Sequence, residues 1–227
     1  MCIRDRYVSP TSVYLFYDIH HILFDGMSLD LLFNDTSSIY NGITPAREEV
    51  NAFDYSLYYN KWKFSTEYAE SERYFDELIA NAAPFIFPNY THFDKKSQGV
   101  QSVESEIERY EIQSYCRSLG VTENAFFATI IMHLFQTISS EDVIQIATVS
   151  NGRSLTQIHS SIGMFVQTLP LISCETDSVH DSIHNMQNQI ISLLKHERFP
   201  YLKLVEKYGI KPCLLYTSPS PRDGATS

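Results

Sequence analysis

The stretch Tyr14-Leu-Phe-Tyr-Asp-Ile-His-His-Ile-Leu-Phe-Asp-Gly26 decides the reading of this chain of 227 residues. β-Branched and aromatic residues alternate over residues 13–19, which favours an extended, half-buried strand, and Gly26 and Ser28 punctuate it before a helical period begins. Chemistry is therefore expected at a strand end, where His20 and His21 are followed by Asp25 and Gly26. Neighbouring residues of a strand point to opposite faces, so the two histidines are not expected to share a cavity. One should act and the other support, and the same divergence disfavours a metal site built from His20, His21 and Asp25.

Working outward, residues 28–40 place Leu29, Leu32, Phe33 and Ile39 or Tyr40 near helical spacing, with Gly42 as the stop. Asp25 sits where strand gives way to helix. A carboxylate partly buried there needs hydrogen bonds or a cation to offset a penalty of several kcal/mol, so its role is architectural, as a helix cap or an ion-pair partner. Residues 53–62 and 65–82 read as helices, and the aromatic stripe they carry reads as packing. Residues 84–98 lack a clean period and read as a linker, and 99–107 as a strand. A helix over 108–119 closes at Gly120. Thr122 then caps a strongly apolar helix over 123–138, which Phe126, Phe127, Ile130, Ile131, Leu134 and Phe135 make the densest hydrophobic stretch, with His133 read as packed or snorkelling and not as a ligand. Residues 142–150 form an apolar strand that runs into Asn151-Gly-Arg153. In 162–171, Gly163 permits a close backbone approach. A last helix over 178–196 turns Ile183, Met186, Ile190, Leu193 and Leu194 inward.

The two ends read differently from the rest. Met1 to Asp5 can be encoded by ATG TGT ATA AGA GAC, and the reverse complement of that DNA, begun with a T and shifted by one base, encodes Cys-Leu-Leu-Tyr-Thr, the string found at residues 213–217. Termini encoded by complementary strands of one short DNA look like a sequencing adapter translated in both directions. Residues 1–6 and 213–227 are accordingly set aside as adapter-derived, leaving 7–212 as the segment that folds.

Composition changes meaning after that trim. Four cysteines become two, because Cys2 and Cys213 belong to the ends, and Cys116 and Cys174 lack metal-like spacing. Hydrophobic content of 44% with 19% charged residues describes a globular protein. The net charge of −10 is not a product of the ends, since Arg4, Asp5 and Arg6 add +1 and Arg222 and Asp223 cancel. An acidic balance argues against nucleic acid and anionic membranes as partners. No apolar run approaches the roughly 18 residues that span a bilayer, so a cytoplasmic protein is expected.

The pattern His20-His21-x-x-x-Asp25-Gly26 resembles the signature of the condensation domains of nonribosomal peptide synthetases, relatives of chloramphenicol acetyltransferase. Asp54-Tyr55 resembles the next family motif, with Ala52, Ser56 and Tyr58 where the family has tyrosine, alanine and tryptophan. Ile162-Gly-Met-Phe-Val-Gln-Thr168 resembles Ile-Gly-x-Phe-Val-Asn-Thr, with Gln167 replacing asparagine. His196-Glu-Arg-Phe-Pro-Tyr201 resembles His-Gln-Asp-Tyr-Pro-Phe, and His196 is read as structural. The resemblance covers residues 7–212. It implies an α/β (α+β) fold, the two-lobe sandwich of the chloramphenicol acetyltransferase type, present as an incomplete fragment: 7–84 as the second half of the N-lobe, 85–98 as linker and 99–212 as the first part of the C-lobe.

The resemblance also implies roles. His21 is the catalytic residue, His20, Asp25, Gly26 and Arg153 support it, and Gly163, Phe165 and Gln167 belong to the tunnel. Arg153 is expected to reach Asp25 across the two lobes by bidentate pairing, and the backbone N–H near Gly26 to offer an oxyanion donor. The implied reaction joins an acyl or peptidyl thioester to the amine of an aminoacyl thioester. No cofactor is bound directly; phosphopantetheine is carried by upstream and downstream peptidyl carrier domains, with an adenylation domain adjacent. The alternatives are a stand-alone acyltransferase of the same fold and a non-catalytic docking module. An epimerisation domain shares the histidines, but 162–168 looks like the condensation version, and a heterocyclisation domain carries aspartate where His20 and His21 stand.

Overall fold

The computed structural model describes residues 6–8, 11, 13–15, 17–80, 82–84, 106–139, 141–173, 176 and 178–209. Strands β1 (Arg6–Val8) and β2 (Val13–Leu15) pair antiparallel, Tyr7 opposite Tyr14. Of the strand expected over 13–19, Val13–Leu15 is strand and Asp18 makes an isolated bridge. His20 lies beyond it, at the entry to a 3-10 turn, His21–Leu23.

Helices follow where caps and apolar spacing agree. Helix α1 (Gly26–Tyr40) is capped by the Asp25 carboxylate, which accepts from the Ser28 N–H. Helix α2 (Ala52–Trp62) is capped by Asn51, whose side chain accepts from the N–H groups of Phe53 and Asp54. Helix α3 (Thr66–Ile79) leads to β3 (Ala83–Pro84), and α4 (Arg109–Leu119) opens on a capping box of Glu108 and Glu111. Helix α4 closes at Gly120, left-handed at φ 68°, as that residue's lack of a Cβ allows. Thr122 caps α5 (Glu123–Ile138) as expected, accepting from Ala125 N–H. Then come β4 (Ile144–Ser150), β5 (Gln167–Ile172), α6 (Val179–Lys195) with Ser178 as its cap, and α7 (Tyr201–Tyr208). The second sheet has the order β3-β4-β5, with β3 parallel to β4 and Ala83 opposite Ile144.

Packing divides the chain into two compact units, Met1–Ser71 with Val149–Gln167, and Glu72–Thr148 with Thr168–Ser227. The break expected at 85–98 lies outside the described residues, and the packing breaks elsewhere: within α3, β4 and β5. In the first unit, Phe165 meets Tyr55 edge-on at 5.2 Å and Trp62 lies between Tyr59 and Tyr68. Of the aromatic residues of α2, Tyr55, Tyr59 and Trp62 pack as their spacing suggested, whereas Phe53 and Tyr58 are exposed. Ser161 Oγ donates to the Val50 carbonyl, and Ile162 N–H donates to Glu48 Oε1 at 2.8 Å, which ties the segment before β5 to the one before α2.

The second unit buries Phe75, Ile144, Leu169, Leu171, Met186, Leu193, Phe199 and Leu204. One corner joins Cys116, Val121 and Ile183; burial pushes the Cys116 thiol up, which keeps it protonated. Helix α5 buries Ala125, Ala128, Met132 and Phe135, whereas Phe127, Ile130 and Leu134 are exposed despite their hydrophobicity. His133 is exposed too, the snorkelling one of its two readings. Among the described residues α4 and α6 pack against this helix. No single helix among the described residues is long and apolar enough to cross a membrane.

Candidate active site

The two adjacent histidines are distinguished by their hydrogen bonds. His20 caps the 3-10 turn: its Nδ1 accepts from Ile22 N–H at 3.2 Å. His21 Nδ1 lies 2.8 Å from the Phe24 carbonyl oxygen, which can only accept, so Nδ1 carries the proton. Neutral His21 therefore keeps its lone pair at Nε2, while neutral His20 carries its N–H there. The histidines are not on a strand, so alternation does not separate them; a turn does, by setting opposite tautomers. Both rings are exposed.

Behind this turn lies a buried polar node within the first unit. Asp25 and Arg153 side chains are each 1% exposed, and Arg153 Nη2 reaches Asp25 Oδ1 at 3.0 Å and Oδ2 at 3.2 Å. The pair expected from sequence is present, but two features differ. It lies inside one compact unit, because Val149–Gln167 packs with the N-terminal segment. It is also not a fork on a fork, since one guanidinium nitrogen spans both carboxylate oxygens. The other, Nη1, donates to the carbonyls of Ile158 and Ser161, both at 2.7 Å. The guanidinium also lies over the Phe165 ring, Cζ 4.4 Å from its centroid.

Ser28, fully buried, completes the node. Its Oγ lies 2.8 Å from Asp25 Oδ1 and 2.9 Å from the Gly163 carbonyl, of which its one proton can serve one at a time. The same oxygen accepts from Gly163 N–H at 3.0 Å and from Arg153 Nη2 at 3.1 Å. Phe165 N–H donates to Asp25 Oδ2 at 3.1 Å. The cap of α1 and the loop before β5 are thereby fastened to each other. Burial by itself would raise the Asp25 carboxyl; the N–H groups of Ser28 and Phe165, the Ser28 hydroxyl and the Arg153 guanidinium together hold it below the usual value.

Close approach explains two glycines. A Cβ on Gly163 would meet Phe165 Cε2 at 2.7 Å and Ala52 Cβ at 2.9 Å, and one on Gly152, at φ +67°, would meet the Phe165 carbonyl oxygen at 1.7 Å. Gly26 is different: a Cβ there would meet nothing within 4 Å. Its N–H stands at the first helical position, where the helix offers no acceptor. Gln167 turns back on its own segment, its Nε2 donating to the Phe165 carbonyl at 3.1 Å. His196 is in the second unit, stacked on Tyr74 at 4.3 Å with a 20° tilt.

Ser28 is the residue that sequence reasoning missed. It served there only as punctuation, yet a serine three residues after a capping aspartate stands where its N–H meets the cap, and that spacing is the signal that could have singled it out.

The condensation domain family model matches residues 6–212. Tyrocidine synthase 2 of Brevibacillus parabrevis is 27% identical over 209 residues, covering 87% of this chain and 6% of that protein. The first condensation domain of the calcium-dependent antibiotic synthetase, solved in complex with a substrate analogue, superposes at a TM-score of 0.68 and 15% identity, covering 98% of this chain and 54% of that one. The X-domain solved in complex with OxyB from teicoplanin biosynthesis gives 0.69 and 15%, covering 92% of this chain and 50% of that one. The chain thus spans about half the length of these solved relatives. With the histidine turn, the Asp25–Arg153 node and the loop at Gly163 all lying within the matched residues, the chain belongs to the condensation domain family.

Proposed function

We propose that this chain is part of a condensation domain of a nonribosomal peptide synthetase, and that its histidine turn serves amide formation between two carrier-bound thioesters. The amine of the aminoacyl thioester attacks the carbonyl of the acyl or peptidyl thioester. The C–N bond forms, the C–S bond breaks, the upstream carrier leaves as its thiol, and the amine loses one proton overall. The observation that carries the reading is the Nδ1–H of His21 donated to the Phe24 carbonyl, which leaves Nε2 as the basic nitrogen of the pair. A neutral imidazole is suited to take or hold the proton of the attacking amine. His20, with Nδ1 already engaged by Ile22 N–H, orders the turn.

Asp25, Ser28 and Arg153 act through position: they hold the start of α1, and so the turn ahead of it, against the loop of Gly163 and Phe165. The N–H of Gly26 is the candidate donor to the developing oxyanion. The phosphopantetheine arms belong to upstream and downstream carrier domains and arrive with the substrates, so no resident cofactor is needed. An adjacent adenylation domain and a cytoplasmic setting belong to the same proposal, as does the expectation that this chain alone is inactive.

The test restores a complete domain around this chain and follows transfer between loaded carriers by mass spectrometry. His21→Ala should lower the rate by roughly 10²–10⁴, the usual worth of positioned proton transfer. His20→Ala should act mainly on stability. Unimpaired transfer by the His21→Ala domain would end the catalytic assignment. It would favour a second reading, a docking role, which the fold admits because the X-domain that shares it was solved bound to OxyB.

A further inference from the structure

Outside the histidine turn, α6 carries a second pair of imidazoles. His180 and His184 are one helical turn apart, where side chains four residues apart meet on one face, and their ring centres are 4.5 Å apart at a tilt of 48°. His180 is exposed and His184 half-buried. Neither takes part in the node or turn described above, and both lie in the second unit.

We propose that His180 and His184 form a two-nitrogen chelate for a divalent transition-metal ion, with Cu²⁺ and Ni²⁺ preferred. The argument is geometric. With metal–nitrogen bonds of about 2.0–2.1 Å, each ring centre lies about 3.2 Å from the ion, which puts two centres about 4.5 Å apart at a right-angled bite and about 5.2 Å apart at a tetrahedral one. The observed separation of the ring centres equals that of a right-angled bite, the one that tetragonal and octahedral ions take, and is used once both side chains rotate to aim their Nε2 atoms at one ion; imidazole nitrogen suits both copper and nickel. Among the described residues no three or more His, Cys, Asp and Glu side chains group to hold a metal.

Electrostatics oppose the site at one point and favour it at another. His180 is in the first turn of α6, where the partial positive charge of the helix end repels a cation. Asp181 answers this: its Oδ1 is 3.6 Å from His180 Nδ1, too far for a hydrogen bond but at ion-pair range. When Nε2 of His180 is bound to a metal, its Nδ1–H becomes a stronger donor, and a carboxylate at that place is the usual outer partner of a ligating imidazole.

The test uses the whole chain, titrated with Cu²⁺ and separately with Ni²⁺ by calorimetry, with the copper spectrum recorded by electron paramagnetic resonance. The expected result is one ion per chain with micromolar affinity and a signal from two equatorial nitrogens. His180→Ala and His184→Ala should each weaken binding at least about ten-fold, and the double variant His20→Ala/His21→Ala should leave it in place. Alanine favours the helix, so both α6 variants should keep the far-ultraviolet circular dichroism of the parent. Binding no tighter than millimolar, or binding untouched by both α6 variants, would overturn the proposal. Loss only in the His20→Ala/His21→Ala variant would overturn it too, by moving the ion to the other pair.

Discussion

Among the described residues two clusters join an aspartate to an arginine or lysine, and by distance the wrong one would be ranked first. Lys207 Nζ lies 2.8 and 2.7 Å from the two oxygens of Asp76, with Tyr208 Oη donating at 2.6 Å and Glu72 at 3.8 Å from the ammonium. Arg153 Nη2 approaches Asp25 at 3.0 and 3.2 Å. Yet Asp76 and Lys207 side chains are 31% and 46% exposed, whereas Asp25 and Arg153 are each 1% exposed. Water screens the first cluster and competes for its hydrogen bonds. The second has only protein partners, so it fixes a geometry: losing one member strands the others. Burial, not separation, decides which pair holds structure, and the histidine turn is attached to the buried one.

The largest effect should come from breaking the buried node. Arg153→Met removes the cation and leaves the Asp25 carboxylate with hydrogen bonds alone, at a cost of about 3–5 kcal/mol. Urea unfolding reads this directly, and a loss below 1 kcal/mol would mean that the pair is solvated after all. The double variant Arg153→Met/Asp25→Leu should recover part of the loss, because a node without charges leaves none stranded.

Acid should separate the two clusters next. The Asp25 carboxyl is held below its ordinary value of 3.8, so between that value and its folded one the unfolded chain binds more protons than the fold does. Its contribution is complete above about pH 4 and is lost as pH falls through the folded value. Asp76 is also lowered, first by hydrogen bonds from Lys207 and Tyr208, but at the surface. Asp25→Asn should therefore flatten the acid limb of the stability curve at both low salt and 1 M salt. Asp76→Asn should leave little trace at 1 M, where screening acts within about 3 Å. Equal salt sensitivity in the two variants would erase the distinction.

Ser28→Ala is the intermediate case, expected to lose about 1–3 kcal/mol, because it removes the shared acceptor of Gly163 N–H and Arg153 Nη2 within a buried site. Far-ultraviolet circular dichroism should stay unchanged, since Asp25 still caps α1 through the Ser28 N–H.

What was legible in the sequence was what local chemistry decides. Thr122 and Gly120 sit where helix ends need an acceptor or a left-handed residue, and each took that place. The Asp25–Arg153 pair was legible through the family resemblance, which puts an arginine after the apolar strand; local chemistry alone left Asp25 as a helix cap and Arg153 as an exposed loop residue equally open. The spacing of Ser28 after Asp25 offered its place at the cap, but not its bond to Gly163, 135 positions away. The strand expected over 13–19 did not foresee the 3-10 turn at His21–Leu23, because alternation shows what could pair and says nothing of the turn that follows. Phe127, Ile130 and Leu134 belong to the densest hydrophobic stretch yet are exposed, because hydrophobicity measures the tendency to be covered and not whether a cover is at hand.

The smallest effect should be that of Lys207→Met, and it is the sharpest check on the comparison. The ammonium makes two short contacts to Asp76 and lies near Glu72, so a count of contacts would make this substitution more harmful than Arg153→Met. Its removal, however, leaves Asp76 with the Tyr208 hydroxyl and with water on its exposed side, so no charge is stranded. The methionine keeps the apolar stem against α7, where Lys207 stands one residue before the end of the helix. The thermal midpoint should match that of the parent chain at low and at high salt. A fall comparable to that of Arg153→Met would show that the surface cluster is structural, and that the histidine turn has no privileged anchor in the buried node.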